Sequence, residues 1–81
     1  MLKHEGITNI IEGTPYISIE FSLGYFRVVL NADELFLPKA IIFGKISQEL
    51  YEVLYSRFHH RYQAENYANQ LAEVLKIEFK R

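Results

Sequence analysis

The clearest pattern in the chain is an alternation of apolar and polar residues in its first half. In residues 16–22 every second side chain, beginning with Ile17, is apolar, and residues 25–30 again place apolar side chains at every second position. A period of two is typical of a half-buried β-strand. The Leu23-Gly24 pair between the runs fits a two-residue hairpin turn, because glycine readily adopts the positive φ angle that such turns need. These residues predict a β-hairpin.

The short turn also fixes the register of the predicted hairpin. Apolar residues oppose one another on one face, and an acidic residue opposes a basic one on the other face. Each such cross-strand pair contributes roughly 0.2–1 kcal/mol, and a slip by one residue would expose the whole apolar face. The predicted pairs are Phe21–Phe26, Ile19–Val28, Ile17–Leu30 and Glu20–Arg27.

Four shorter segments surround these elements. Residues 7–11 are predicted as a short strand, and residues 35–37 as another. Residues 39–46 are apolar enough for a strand, a buried loop or a short helix, and periodicity alone does not choose among them. Residues 76–81 alternate as a strand does, so they fit either an added edge strand or a segment that docks Phe79 under a helix.

The second half of the chain predicts a helix. No glycine or proline occurs after Gly44, and Ser47 is a suitable N-cap for a helix that begins at the next residue. At about 100° per residue, one apolar stripe stays in phase from there to residue 75, which favours a single helix over about 48–76. The stripe consists of Leu50, Val53, Leu54, Ala64, Ala68, Leu71, Ala72 and Leu75.

A helix of that length is too long for the predicted sheet. About 29 residues extend about 44 Å, whereas strands of about seven residues extend only about 23 Å. Either the helix breaks near residues 59–63 and folds back, or its second half is buried against another molecule. Because residues 57–65 contain no Gly, Pro, Asp or Asn, the unbroken helix is favoured. We therefore predict a homodimer whose interface, closely packed through its alanines, is formed by Ala64, Ala68, Leu71, Ala72 and Leu75.

Together these elements predict one α+β domain over residues 1–81. An antiparallel sheet of three or four short strands, over about 7–37, packs on the long C-terminal helix. Hydrophobic residues make up 49% of the chain and charged residues 23%, which excludes a disordered polar chain. The absence of cysteine excludes disulfides, thiolate nucleophiles and zinc–thiolate sites. A formal net charge of −1 excludes a surface that is basic throughout.

The sequence shows no recognisable catalytic or metal-binding pattern. No nucleophile lies in a recognisable turn, and no glycine-rich loop could hold a phosphate. His59 and His60 are adjacent, so on a helix they diverge, unlike the i, i+4 histidines of a helical zinc site. His4 is remote from both. We therefore predict no catalytic residue, no metal site and no cofactor.

A second apolar face on the first half of the predicted helix is the candidate binding surface. Its aromatic residues, Tyr51, Tyr55, Phe58 and Tyr62, recur at spacings of four, three and four. Such stripes usually pack in a core, but tyrosine hydroxyls need a hydrogen-bond partner or water. Because tyrosine is enriched at protein interfaces, these four residues are predicted to contact a partner.

Arg57 and Arg61 occupy the main apolar stripe, where apolar side chains are expected. Either their stems pack while their guanidinium groups reach water or a carboxylate such as Glu20 or Glu65, or they bind an anionic group on a partner. We include both arginines in the predicted partner-binding set.

These observations favour a small non-enzymatic protein-interaction module, such as an adaptor, regulator or inhibitor, that acts as a homodimer on another protein. The alternative is a nucleic-acid-binding module in which paired helices bring Arg57 and Arg61 together, and a third possibility is an enzyme with a site at a subunit boundary. Residues 1–13 lack the apolar stretch of a secretion signal, and no segment approaches the roughly 20 apolar residues of a membrane span. We expect a cytoplasmic protein that does not contact membranes.

Overall fold

Four strands and three helices form the part of the chain that the computed structural model describes, residues 8–81. A four-stranded sheet carries the longest helix on one face, which confirms the predicted α+β class. In chain order the elements are β1 (Thr8–Ile10), β2 (Tyr16–Ser22), β3 (Tyr25–Ala32), α1 (Phe36–Ile42), α2 (Gln48–Val53), α3 (Arg61–Leu75) and β4 (Glu78–Phe79).

The hairpin of β2 and β3 confirms the prediction in both turn and register. All four predicted cross-strand pairs are present. Leu23 and Gly24 have φ angles of 56° and 84°, and positive φ at both central residues is the type I′ geometry that matches the twist of the strands. Glycine adopts this conformation without strain, whereas leucine does not.

The sheet is mixed. Its strand order is β1-β3-β2-β4, and the flanking strands β1 and β4 run parallel to β3 and β2, respectively. Within the predicted strand at 7–11, β1 forms at Thr8–Ile10, and Ile7 lies outside the described residues. Both alternatives for residues 76–81 are realised, because β4 adds an edge strand while Phe79 packs against the core.

Residues 36–42 form a helix, so the predicted strand over residues 35–37 is wrong, and residues 39–46 are divided between this helix and the turn after it. The reason is local. An Asp33 carboxylate oxygen accepts a hydrogen bond from the Leu35 amide at 2.8 Å, which turns the chain into the helix. Pro38 lies in the first turn of α1, where its missing N–H would have no partner within the helix.

The continuous helix predicted over about 48–76 is wrong, because residues 54–60 separate α2 from α3. Ser47 is the N-cap as predicted, and its hydroxyl accepts a hydrogen bond from the Leu50 amide at 3.2 Å. The last turn of α2 then tightens. The amides of Leu54, Tyr55 and Ser56 each bond to the carbonyl three residues back, a shorter spacing that commonly ends α-helices.

After this turn the chain pairs with the edge of β3. The Phe26 amide donates to the Phe58 carbonyl at 2.8 Å, and the Phe58 amide donates to the Phe26 carbonyl at 2.9 Å. In the hairpin register these two groups of Phe26 point away from β2, so an extended segment here satisfies them. His60 is the N-cap of α3, and its amide donates to the Gln63 side chain at 3.3 Å as the helix begins.

The break lets α3 lie across the sheet of its own chain. With 15 residues, α3 extends about 22 Å, which matches the length of the hairpin strands. Its apolar stripe faces Ile17, Val28 and Leu30 in the core of a single chain. The five residues of the predicted homodimer interface are already buried within the single chain: Ala64, Ala68, Leu71, Ala72 and Leu75.

A charge at the centre of this stripe tests the fold-back. We expect Leu71→Asp to destabilise the chain by about 3 kcal/mol or more, because the carboxylate would be buried without a partner. Urea denaturation followed by circular dichroism measures the change. Val74→Asp, at a partly exposed position of the same helix, is the matched control and should cost much less. A Leu71→Asp chain that stays as stable as wild type would contradict the burial.

A substitution in the hairpin turn should stabilise the chain. Leu23 is 89% exposed and has a left-handed backbone that costs leucine about 1 kcal/mol relative to residues that favour it. We expect Leu23→Asn to raise the free energy of unfolding by roughly that amount, because Asn-Gly is the preferred type I′ pair. Leu23→Val is the control and should lower stability. An Asn variant less stable than wild type would refute the turn geometry.

Candidate functional site

The tyrosines and phenylalanine predicted to form one binding face are dispersed. Tyr51 on α2 and Tyr55 just after it remain neighbours, with ring centroids 5.5 Å apart and hydroxyl oxygens 2.9 Å apart. Phe58 instead packs against the core and stacks on Tyr67 of α3 at 5.4 Å. Tyr62, at the start of α3, is exposed and stacks on His60. Spacings of four, three and four residues place side chains on one face only within a continuous helix, and these residues lie on both sides of the break.

The two arginines are also separated. Arg61 forms an ion pair with Glu65, in which the guanidinium Nε lies 2.9 Å from a carboxylate oxygen, as one of the sequence interpretations has it. Arg57 belongs to the extended segment before α3, and its guanidinium lies over the Tyr25 ring at 5.8 Å. The predicted arrangement, with Arg57 and Arg61 on one helix face, is therefore wrong.

A small cluster forms around Tyr25 at the hairpin end of the sheet. Because Phe58 pairs with Phe26, its side chain points to the core, and the residues on either side of it point to the opposite face. Arg57 and His59 accordingly contact the Tyr25 ring, with the His59 centroid 5.3 Å away. This cluster combines cationic and aromatic groups, but its members already contact one another.

Four large apolar residues that are exposed lie on or next to α1, a helix that the sequence did not predict. The helix buries Ala40 and packs Phe36 and Leu37 against the core. At 100° per residue, Leu35, Pro38 and Ile42 lie on the side opposite Ala40, and Ile41 and Phe43 lie on the two flanks of the helix. Exposure is 57% for Leu35, 48% for Ile41, 77% for Ile42 and 70% for Phe43, with the exposed Pro38 between them. We call Leu35, Pro38, Ile41, Ile42 and Phe43 the α1 face.

The turn after α1 holds the end of this face in place. Gly44 has a φ angle of 67°; its amide bonds to the Ile41 carbonyl at 3.1 Å, and the Lys45 amide bonds to the Ala40 carbonyl at 2.8 Å. These two bonds across a left-handed glycine form a Schellman C-cap. The cap fixes Phe43 as the C-cap residue directly after Ile42, and both Phe43 and Lys45 line the cavity described next.

A cavity of about 260 Å³ opens beside the α1 face. It lies between the inner side of α1, the Schellman turn and the end of α3. Its walls combine apolar side chains with two lysines and one aspartate. The lining residues are Asp33, Phe36, Lys39, Ala40, Phe43, Lys45 and Leu75.

The α1 face is costly to leave in water. Burying a large apolar side chain is worth roughly 1.5–3 kcal/mol, and four such residues within a segment of nine are about half or more exposed. A helix that is apolar on all sides normally lies within a core or an interface. The sequence already indicated this apolar surface, since residues 35–43 contain a single polar residue, Lys39.

The described residues offer no metal site or membrane-crossing helix. Across residues 8–81, no group of three or more His, Asp or Glu side chains is placed to hold a metal ion. None of the helices in that range is both long and apolar enough to cross a membrane. His4, considered in the sequence, lies outside the described residues.

Comparisons of the chain with protein-family models, with curated proteins and with solved structures find no significant match.

A substitution in the Schellman turn tests how the α1 face is held. We expect Gly44→Ala to lower the free energy of unfolding by about 1 kcal/mol, because a side chain is strained at positive φ. Gly44→Asn should cost less, since asparagine tolerates this conformation better. Thermal denaturation of the three chains measures the differences. Equal stability of the alanine variant and wild type would show that the turn has another geometry.

Proposed function

We propose that this protein is a non-enzymatic protein-interaction module that binds a partner protein through the α1 face. The observation that carries this proposal is the exposure of Leu35, Ile41, Ile42 and Phe43, which belong to one short helix or cap its ends. Exposed apolar patches of this kind, rimmed by polar residues, are typical of protein interfaces. The module thus fits the roles of adaptor, regulator or inhibitor.

Rigid support favours the α1 face over the predicted tyrosine surface. The helix is anchored through Ala40 in the core and is closed by the Schellman turn. A preorganised surface loses little conformational entropy when it binds. Tyr55 and Tyr62, by contrast, belong to different segments of the chain.

The other functions considered have less support. The paired-helix arrangement for nucleic acid depended on a shared face for Arg57 and Arg61, and these residues diverge. An enzyme site at a subunit boundary depended on a dimer formed through α3, whose apolar face is buried. A homodimer formed through the α1 face instead is the competing outcome of the experiment below.

Site-specific crosslinking tests the proposal. A photoreactive amino acid at Ile42 should crosslink to a partner in the native host, and the same group at Tyr62, which is similarly exposed, should not. The captured protein is then purified, and its affinity for the chain is measured. We expect Ile42→Asp to weaken this affinity at least about tenfold, as loss of a well-placed apolar contact does, and Tyr62→Asp to leave it unchanged.

Two results would contradict the proposal. One is a partner whose affinity is the same for Ile42→Asp and wild type. The other is a crosslinked product of twice the chain mass at position 42, which would assign the α1 face to self-association. Because Ile42 is 77% exposed, the substitution should leave folding intact, which circular dichroism can verify.

A further inference from the structure

The cavity beside α1 has the size and walls of a side-chain pocket. Small-molecule sites usually enclose about 300–1,000 Å³, and this cavity encloses about 260 Å³. Phe36, Phe43 and Leu75 supply apolar walls. Phe43 also belongs to the α1 face, so the cavity and that face form one continuous surface. A partner lying on the face could therefore place one apolar side chain in the cavity.

The rim of the cavity is basic, although the whole chain has a net charge of −1. Lys39 and Lys45 line it together with Asp33, whose carboxylate already accepts the Leu35 amide. Within residues 8–81, the ion pair closer than 4.0 Å from nitrogen to oxygen is that of Arg61 with Glu65. Neither Lys39 nor Lys45 therefore forms an ion pair with a carboxylate of the described residues. A partner with acidic groups would supply the missing charge.

We infer that the partner is a protein segment that inserts an apolar side chain between Phe36, Phe43 and Leu75 and presents carboxylates to Lys39 and Lys45. This inference rests on the proposed function and specifies its chemistry. The inserted side chain supplies affinity by desolvation, and the two lysines select acidic segments over basic ones.

The charges also distinguish this occupant from a second copy of the chain. Two copies joined through their α1 faces would bring four lysines and only two Asp33 carboxylates to one interface, and this excess of positive charge is unfavourable. The seven-residue α1 extends only about 10 Å. A contact of that length suits about two turns of an amphipathic helix, in which apolar residues recur on one side and acidic residues flank them.

Two synthetic peptides test the inference with the full chain. Both are amphipathic helices of 14 residues with the same leucine stripe, and their polar positions are all glutamate in one and all lysine in the other. We expect the glutamate peptide to shift the amide resonances of α1, Lys45 and Leu75, and to bind about tenfold or more tightly than the lysine peptide. Its advantage should shrink as salt is raised.

Charge-reversed variants supply the matched control. Lys39→Glu with Lys45→Glu should invert the preference, so that the lysine peptide binds more tightly. Lys80→Glu with Arg81→Glu changes the net charge equally at residues that do not line the cavity, and it should keep the glutamate preference. Retained preference in the first pair, or loss of it in the second, would overturn the inference.

The remaining outcomes are equally decisive. Equal binding of both peptides, absence of binding, or resonance shifts away from α1 would each overturn the inference. So would lysine-dependent binding to vesicles of phosphatidylcholine and phosphatidylglycerol without discrimination between peptides, since this would assign the surface to membranes. If the peptides fail but the crosslinked partner still requires Ile42, the proposed function stands and only its acidic chemistry is wrong.

Discussion

The pair of backbone hydrogen bonds between Phe26 and Phe58 is the contact on which the rest of the structure depends. It holds an extended segment against β3 at 2.8 and 2.9 Å, at the point where a continuous helix would have projected beyond the sheet. With the helix interrupted there, the leucines and alanines of α3 pack in one core with Ile17, Val28 and Leu30 of the same chain. The described residues thereby form an apolar core within a single chain.

The hairpin could be predicted from the sequence because everything that specifies it is local. The alternation over residues 16–30 fixes the faces, and the two-residue turn fixes the register. The helix break could not be predicted in the same way, because Phe58 is stabilised by Phe26, 32 positions earlier in the sequence. Residues 57–65 contain no glycine or proline, so the local residues that usually predict the end of a helix are absent from this segment.

Two features of the sequence did mark the break. Arg57 and Arg61 interrupt the apolar stripe, so it contains no apolar residue between Leu54 and Ala64. Ser56 is the other, since its hydroxyl donates to the Glu52 carbonyl at 3.1 Å, a bond with which serine competes against regular helix geometry. The candidate site was missed for a different reason: a segment that is apolar on every side has no period from which helix and strand can be told apart.

Nuclear Overhauser contacts around Phe58 test the fold-back most directly. If the account is right, the backbone of Phe58 shows contacts to Phe26, and its ring shows contacts to Tyr67, whose centroid lies 5.4 Å away. The helical contacts between successive amides should also be interrupted between residues 54 and 60. An unbroken series of helical contacts from residue 48 to residue 75, with none between Phe26 and Phe58, would contradict the account.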